Sequence, residues 1–147
     1  MSRPHLFVDI SAHGLGHLAQ AAPVLNTLAA HLPELSITLR SGLSRDTLHA
    51  RLAVAFTHLA GSSDFGYVMH DAMRVDLPAT ARAYRRQHAD WEGLVEREAR
   101  LLSELQPTLV LSDVAYLPLA GAARAGIPSL ALCSLNWAEL FAHFFAG

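Results

Sequence analysis

The residues best suited to chemistry stand in one short loop near the start of the chain. His13 and His17 flank the glycines Gly14 and Gly16 in the run Ser-Ala-His-Gly-Leu-Gly-His. Glycine lets a turn close tightly and lets a ligand approach the backbone. A helix that begins after this run offers unpaired N–H groups to an anion or a polar oxygen, and its positive end disfavours protonation of His17. A neutral imidazole at this place is suited to act as a general base.

A second candidate for chemistry lies far along the chain. Asp113 follows the apolar run 108–112, whose continuous pattern is typical of a buried parallel strand. Because ligands bind beyond the carboxyl ends of parallel strands, we expect Asp113 at the same sheet edge as His17. A carboxylate bonded to an imidazole fixes its tautomer and stabilises its protonated form. The alternative role of Asp113 is an N-cap for the helix after Val114.

The elements that must position these residues alternate between strands and helices. Apolar or β-branched runs predict strands over residues 5–10, 35–40, 54–59, 108–112 and 129–133. Apolar stripes at helical spacing predict helices over 19–32, 44–52, about 78–105 and 116–125, and one that begins near 136. Residues 61–75 have no steady period and are predicted to be a loop. This order predicts an α/β fold, a Rossmann-like parallel sheet with helices on both faces.

The composition describes one well-cored domain. Of the 147 residues 52% are hydrophobic and 16% are charged, and the charged side chains of the long predicted helix, Glu98 among them, are expected to form a solvated face. The net charge of −2 argues against a nucleic-acid partner, and no run is long enough for a membrane span. We therefore expect a cytoplasmic protein.

The single cysteine, Cys133, lies in an apolar run and is predicted to be buried.

Two cofactor hypotheses compete at the first loop. Residues 14–19 satisfy the dinucleotide pattern G-x-G-x-x-G/A, but Arg40 stands where an acidic residue would hold a ribose. An NADP-binding Rossmann domain, with Arg40 on the 2′-phosphate, therefore stays an alternative. A metal site at His13 and His17 lacks a third ligand at motif spacing, so no metal is predicted.

Three motifs together resemble the N-terminal domain of the GT-B glycosyltransferases, in particular MurG-like and UDP-glycosyltransferase-like proteins. They are residues 10–17 with Pro23, residues 110–114, and residues 122–129 leading to Asn136 and Trp137. Their order and spacing span nearly the whole chain. A close variant of the pattern is found in the glycosyltransferase-like domain attached to arabinose kinases, where a separate kinase domain transfers the phosphoryl group.

The resemblance implies that residues 1–147 are the acceptor side of an enzyme that moves a sugar from a UDP- or dTDP-sugar to an acceptor hydroxyl. The nucleotide-sugar would be a co-substrate, with no further cofactor. It would bind mostly to a C-terminal domain that follows these residues, and the large aromatic residues close to Gly147 lead us to expect a longer protein. His17 matches the base of this family, and Asp113 matches the aspartate that orients it.

Other positions leave choices open. His13 departs from the family pattern and supplies a second imidazole, so the base is either His13 or His17. The residues expected to bind substrate are Gly14, Gly16, Asn136 and Trp137. A buried structural role is the alternative for Trp137. The alternative functions are a non-catalytic sugar- or nucleotide-binding module fused to a sugar kinase and, as a further option, a nucleotide-sugar epimerase.

Overall fold

The computed structural model describes residues 3–146, and five parallel strands form the centre of this part of the chain. The strands are β1 (His5–Asp9), β2 (Ser36–Ser41), β3 (Thr57–Ala60), β4 (Leu109–Ser112) and β5 (Ser129–Ala131). Their order in the sheet is β3-β2-β1-β4-β5, and every neighbouring pair is parallel. The order reverses direction at β1, which lies between β2 and β4. Such a switch point is where open α/β sheets bind their ligands.

Six helices lie within residues 3–146, five of them between strands and the sixth after β5. They are α1 (Leu15–His31), α2 (Arg45–His49), α3 (Leu77–His88), α4 (Trp91–Leu105), α5 (Leu117–Ala125) and α6 (Trp137–Phe145). Side chains alternate between the two faces of a strand. Leu6 and Val8 of β1 accordingly pack with Leu25 of α1, whereas Phe7 packs on the opposite face with Leu102 of α4. The predicted fold class, a Rossmann-like parallel sheet with helices on both faces, is confirmed.

The single long helix predicted over residues 78–105 is wrong, because two helices occupy this region. Helix α3 ends at His88 and α4 begins at Trp91. The carboxylate of Asp90 accepts a hydrogen bond from the Gly93 N–H at 3.2 Å and so caps α4. An aspartate that bonds the backbone in this way favours a helix start over a helix interior.

The fifth strand was predicted to be buried and to run to residue 133, and both expectations are wrong. β5 ends at Ala131 and lies at the edge of the sheet, where Leu130 is 57% exposed. Cys133, which was predicted to be buried, is exposed. The third strand likewise begins at Thr57 rather than at residue 54. An apolar run indicates a strand, but its burial depends on which elements cover it.

A buried ion cluster joins β1, β2 and α4. Arg40 Nε donates to Asp9 Oδ2 at 2.5 Å, and the two terminal nitrogens of Arg40 donate to both oxygens of Glu98 at 2.9 and 2.6 Å. Glu98, which was predicted to be solvated, is only 5% exposed. Burial raises the pKa of Asp9 to about 6 although Arg40 acts to lower it. Because protein carboxylates occupy the Arg40 guanidinium, the structure does not favour the NADP alternative.

Candidate active site

The loop after β1 and the end of β4 meet at the switch point of the sheet. Helix α1 begins at Leu15, four residues before the predicted start, after Gly14 with its positive φ of 100°. His17 therefore lies in the first turn of α1. Its Nδ1 is 2.9 Å from Oδ1 of Asp113, although 96 residues separate the two in the sequence. The structure thus brings together the two residues that the sequence analysis paired.

Asp113 bonds Ser11 and His17 rather than the N-terminus of a helix. Helix α5 has Tyr116 at its N-cap position and no side-chain capping bond. The carboxylate of Asp113 is 3% exposed, and its second oxygen accepts a hydrogen bond from the Ser11 N–H at 3.2 Å. One oxygen therefore holds the loop after β1 through the Ser11 backbone, and the other holds His17 in the first turn of α1. The N-cap alternative is wrong.

The hydrogen bond to Asp113 raises the pKa of His17, against the effect of partial burial. The direction of this shift is opposite to the one expected from the positive end of α1 alone. A carboxylate only accepts hydrogen bonds, so the neutral imidazole carries its proton on Nδ1 and leaves the Nε2 lone pair for a substrate. This arrangement has the chemistry of an oriented general base.

His13 has different surroundings from His17. Burial lowers the pKa of His13, and its ring meets the rings of Tyr67 and Trp137 edge-on at centroid distances of 6.4 and 5.4 Å. The backbone of Gly66 packs against the same ring, since a Cβ at Gly66 would lie 2.4 Å from the His13 Cγ. Among residues 3–146, a carboxylate pairs with the imidazole of His17 at this edge of the sheet, and none pairs with the imidazole of His13.

The predicted substrate-binding residues have unequal roles. Asn136 caps α6, because its Oδ1 accepts the Glu139 N–H at 2.8 Å. Trp137 is 3% exposed, and its indole N–H donates to Asp64 Oδ2 at 2.8 Å. Gly14 and Gly16 are exposed, and a Cβ at either would meet no atom within 4 Å. Substrate binding by these four residues stays a prediction.

Asp64 is a residue of the candidate site that sequence reasoning missed. Its Oδ2 accepts hydrogen bonds from the Ser11 hydroxyl at 2.9 Å and from the Trp137 indole at 2.8 Å. It stands in the segment 61–75, where no periodicity indicates a direction for any side chain. The one available signal was the position of this segment directly after the third strand, at the ligand-binding edge of the sheet.

A cavity of about 540 Å³ lies next to Trp137. It is lined by Tyr84, Arg85, His88, Tyr116, Trp137, Ala138 and Phe141. Trp137 links this cavity to the His17–Asp113 pair, because the centroid of its ring also lies 6.2 Å from that of the His17 ring. The volume falls within the range of about 300–1,000 Å³ that is usual for small-molecule sites, and the mostly aromatic walls suit an apolar ligand with rings.

Comparisons with known proteins bear on the fold of this chain. No protein-family model matches it, and no curated protein shows significant similarity. It is similar to CalG4, the calicheamicin glycosyltransferase, with a TM-score of 0.59 and 20% identity over 99% of this chain and 37% of that chain. It is also similar to UGT2 of Phytolacca americana, with a TM-score of 0.56 and 17% identity over 90% of this chain and 31% of that chain.

The chain has a glycosyltransferase-like fold. The resemblance to GT-B glycosyltransferases is thereby confirmed at the level of the fold. The glycosyltransferase-like chain spans about a third of the length of these two solved structures. None of the helices between residues 3 and 146 has the length and apolar character that a bilayer crossing requires.

Proposed function

We propose that this chain is the acceptor-binding part of a glycosyltransferase that moves a sugar from a UDP- or dTDP-sugar to an acceptor hydroxyl. The observation that carries the proposal is the His17–Asp113 pair, whose 2.9 Å contact lies at the switch point of a glycosyltransferase-like fold. The proposal includes a donor-binding domain elsewhere in the protein and a cytoplasmic location.

His17 is the base in the proposed reaction. Its Nε2 takes the proton of the acceptor hydroxyl while the hydroxyl oxygen forms a bond to the anomeric carbon of the sugar. The bond from that carbon to the diphosphate oxygen breaks on the opposite side, the nucleotide leaves with the electron pair, and the configuration inverts. Asp113 holds the Nδ1–H and stabilises the imidazolium that results. His13 is the weaker candidate because no carboxylate pairs with it within residues 3–146.

The aromatic cavity is the proposed place for the body of the acceptor. A ring system against Tyr84 and Phe141 would bury apolar surface, and Trp137 would lie between it and His17. The similar UGT2 structure was solved in complex with UDP-2fluoro-glucose and pterostilbene. We propose an acceptor with rings for this chain as well.

The test uses the full-length protein and measures the release of nucleotide from a nucleotide-sugar in the presence of an acceptor. We expect His17→Ala to lower kcat by about 10²–10⁴-fold without a change in far-UV circular dichroism, since a positioned base contributes about that much. His31 is an exposed histidine in the last turn of the same helix, so His31→Ala is the matched control and keeps full turnover. Full turnover in His17→Ala would remove His17 from the mechanism. Sugar binding without any release of nucleotide would support the non-catalytic module instead.

The pH profile tests the partner of the base. His17 must be neutral to accept a proton, so the rate rises with pH through the pKa of His17. Asp113→Asn removes the carboxylate charge that, directly and through the hydrogen bond, raises this pKa, and the rising limb of the profile then moves to lower pH while the plateau rate falls. A limb that stays in place would contradict the pairing of Asp113 with His17.

A further inference from the structure

Asp64 connects three separate segments around the histidines. Its Oδ2 binds the Ser11 hydroxyl in the loop after β1 and the indole of Trp137 at the start of α6. The Ser11 hydroxyl oxygen in turn accepts the His13 N–H at 3.2 Å. The segment that carries Asp64, the first loop and α6 are therefore joined through a single carboxylate oxygen.

The carboxylate of Asp64 forms no ion pair with an arginine or a histidine in the part of the chain that the structure describes. None of the ion pairs within residues 3–146 includes Asp64, although its side chain is partly buried. Partial burial of a charge that is bonded only to neutral donors carries a free-energy cost. The proposed mechanism does not use this carboxylate directly, so its place at the site calls for a different role.

Trp137, which donates to Asp64, lies between several parts of the candidate site. The indole ring lies 5.4 Å from the His13 ring and 6.2 Å from the His17 ring, and the same indole forms a wall of the aromatic cavity. Tryptophan has one polar hydrogen to donate, and in this chain Asp64 receives it. The hydrogen bond to Asp64 therefore holds an indole that lies beside both imidazoles and also lines the cavity.

We propose that Asp64 is a positioning residue that fixes Trp137 against His13 and His17 and ties the first loop to α6. The base and the cavity thereby keep one relative geometry. The catalytic consequence rests on the proposed function, whereas the geometric role does not and can be measured without substrate.

Fluorescence tests the geometric role. The 147 residues contain two tryptophans, so in this chain Trp91→Phe leaves Trp137 as the single tryptophan emitter, and Asp64→Ala and Asp64→Asn are compared in that background. We expect Asp64→Ala to shift the emission of Trp137 to longer wavelength and to expose it to quenching by acrylamide. Asp64→Asn keeps an acceptor oxygen and stays close to the parent. Asp46→Asn, at an exposed aspartate in α2, is the control and changes neither property. Unchanged emission and quenching in Asp64→Ala would overturn the proposal.

A titration of the histidines followed by NMR provides a readout that a purely structural contact would not move. The charge of Asp64 raises the pKa of both His13 and His17. Both values should therefore fall in Asp64→Asn, in which the geometry is retained but the charge is removed, and stay unchanged in Asp46→Asn. Two unchanged pKa values in Asp64→Asn would refute the closeness of this carboxylate to the imidazoles.

Kinetics of the full-length protein test the catalytic consequence. We expect Asp64→Ala to lower kcat/KM for the acceptor by up to about 10²-fold, the loss that a misplacement of about 1 Å can cause, and Asp64→Asn to recover part of it. Wild-type turnover in Asp64→Ala, alongside an inactive His17→Ala, would overturn the role of Asp64 and leave the proposed function standing. An active His17→Ala would overturn the proposed function, while the fluorescence result would still decide the positioning of Trp137.

Discussion

Replacing Arg40 by Met removes the cation that serves two buried carboxylates at once. Asp9 is 2% exposed and Glu98 is 5% exposed, so neither can regain full hydration in the folded variant. Removing one member of a buried ion pair costs about 3–5 kcal/mol. A domain of this kind has a total stability of about 5–15 kcal/mol. We therefore expect Arg40→Met to lose a large part of its free energy of unfolding at neutral pH.

The pH dependence of that loss follows from the pKa of Asp9. Burial raises this pKa from its ordinary value of 3.8 to about 6, so the folded state holds the proton more tightly than the unfolded state does. The free energy of unfolding consequently falls as the pH rises from 3.8 to about 6, by about 3 kcal/mol at about 1.4 kcal/mol per pH unit. Without Arg40, which acts to lower this pKa, the decline extends above pH 6. Arg40→Met should therefore be more destabilising at about pH 8 than at about pH 5.

Urea unfolding followed by far-UV circular dichroism at these two pH values measures the effect. Arg100→Met is the control, because Arg100 is an exposed arginine of α4, and we expect it to change the free energy of unfolding by less than about 0.5 kcal/mol. The reasoning is refuted if Arg40→Met loses the same free energy at both pH values, or if the loss at the higher pH is below about 1 kcal/mol, well short of a broken buried pair.

Three further substitutions test other parts of the structure. Leu25→Ala empties a fully buried position of α1 and should cost about 2–5 kcal/mol in urea unfolding; Leu15→Ala, at a position that is 62% exposed in the same helix, is the control and should cost less than about 0.5 kcal/mol. Gly66→Ala places a methyl group 2.4 Å from the His13 Cγ, at a backbone φ of +63°. We therefore expect a strain of about 1–2 kcal/mol and a changed NMR signal of His13. An unchanged signal would contradict the packing of that ring against Gly66. Asn136→Ala removes the cap of α6 and should cost about 0.5–2 kcal/mol, visible as a lower Tm that Asn136→Ser restores; a Tm equal to that of the parent would contradict the cap.

The fold class and the approximate position of each strand could be predicted from the sequence because each strand is an apolar run bounded by turn residues. The fourth strand, predicted over residues 108–112, is Leu109–Ser112 in the structure. The break between α3 and α4 was not predicted, since the apolar stripe continues through it and only Asp90 interrupts the helix. Burial was the least predictable property. Cys133 is exposed and Glu98 is buried because of the elements that do or do not pack on them, and not because of their neighbours in the sequence.

In the candidate site, too, one contact could be predicted from the sequence and another could not. His17 and Asp113 could be paired in advance because each comes shortly after a strand, and parallel strands end at one edge of the sheet. Asp64 could not be paired with Trp137 in advance, since 73 residues and an irregular segment lie between them. A contact of that kind depends on the path of a loop, which no periodic pattern encodes.

The bond between His17 and Asp113 also makes the site a late event in folding. It spans 96 residues and requires the pairing of β1 with β4, so it forms only after a long stretch of chain has been brought together. Non-local closure of this kind costs chain entropy before it yields contacts, and it slows folding. On a translating ribosome, His17 stays without its partner until synthesis has passed residue 113. The titration of His17 is therefore a natural reporter for the moment at which β4 pairs with β1.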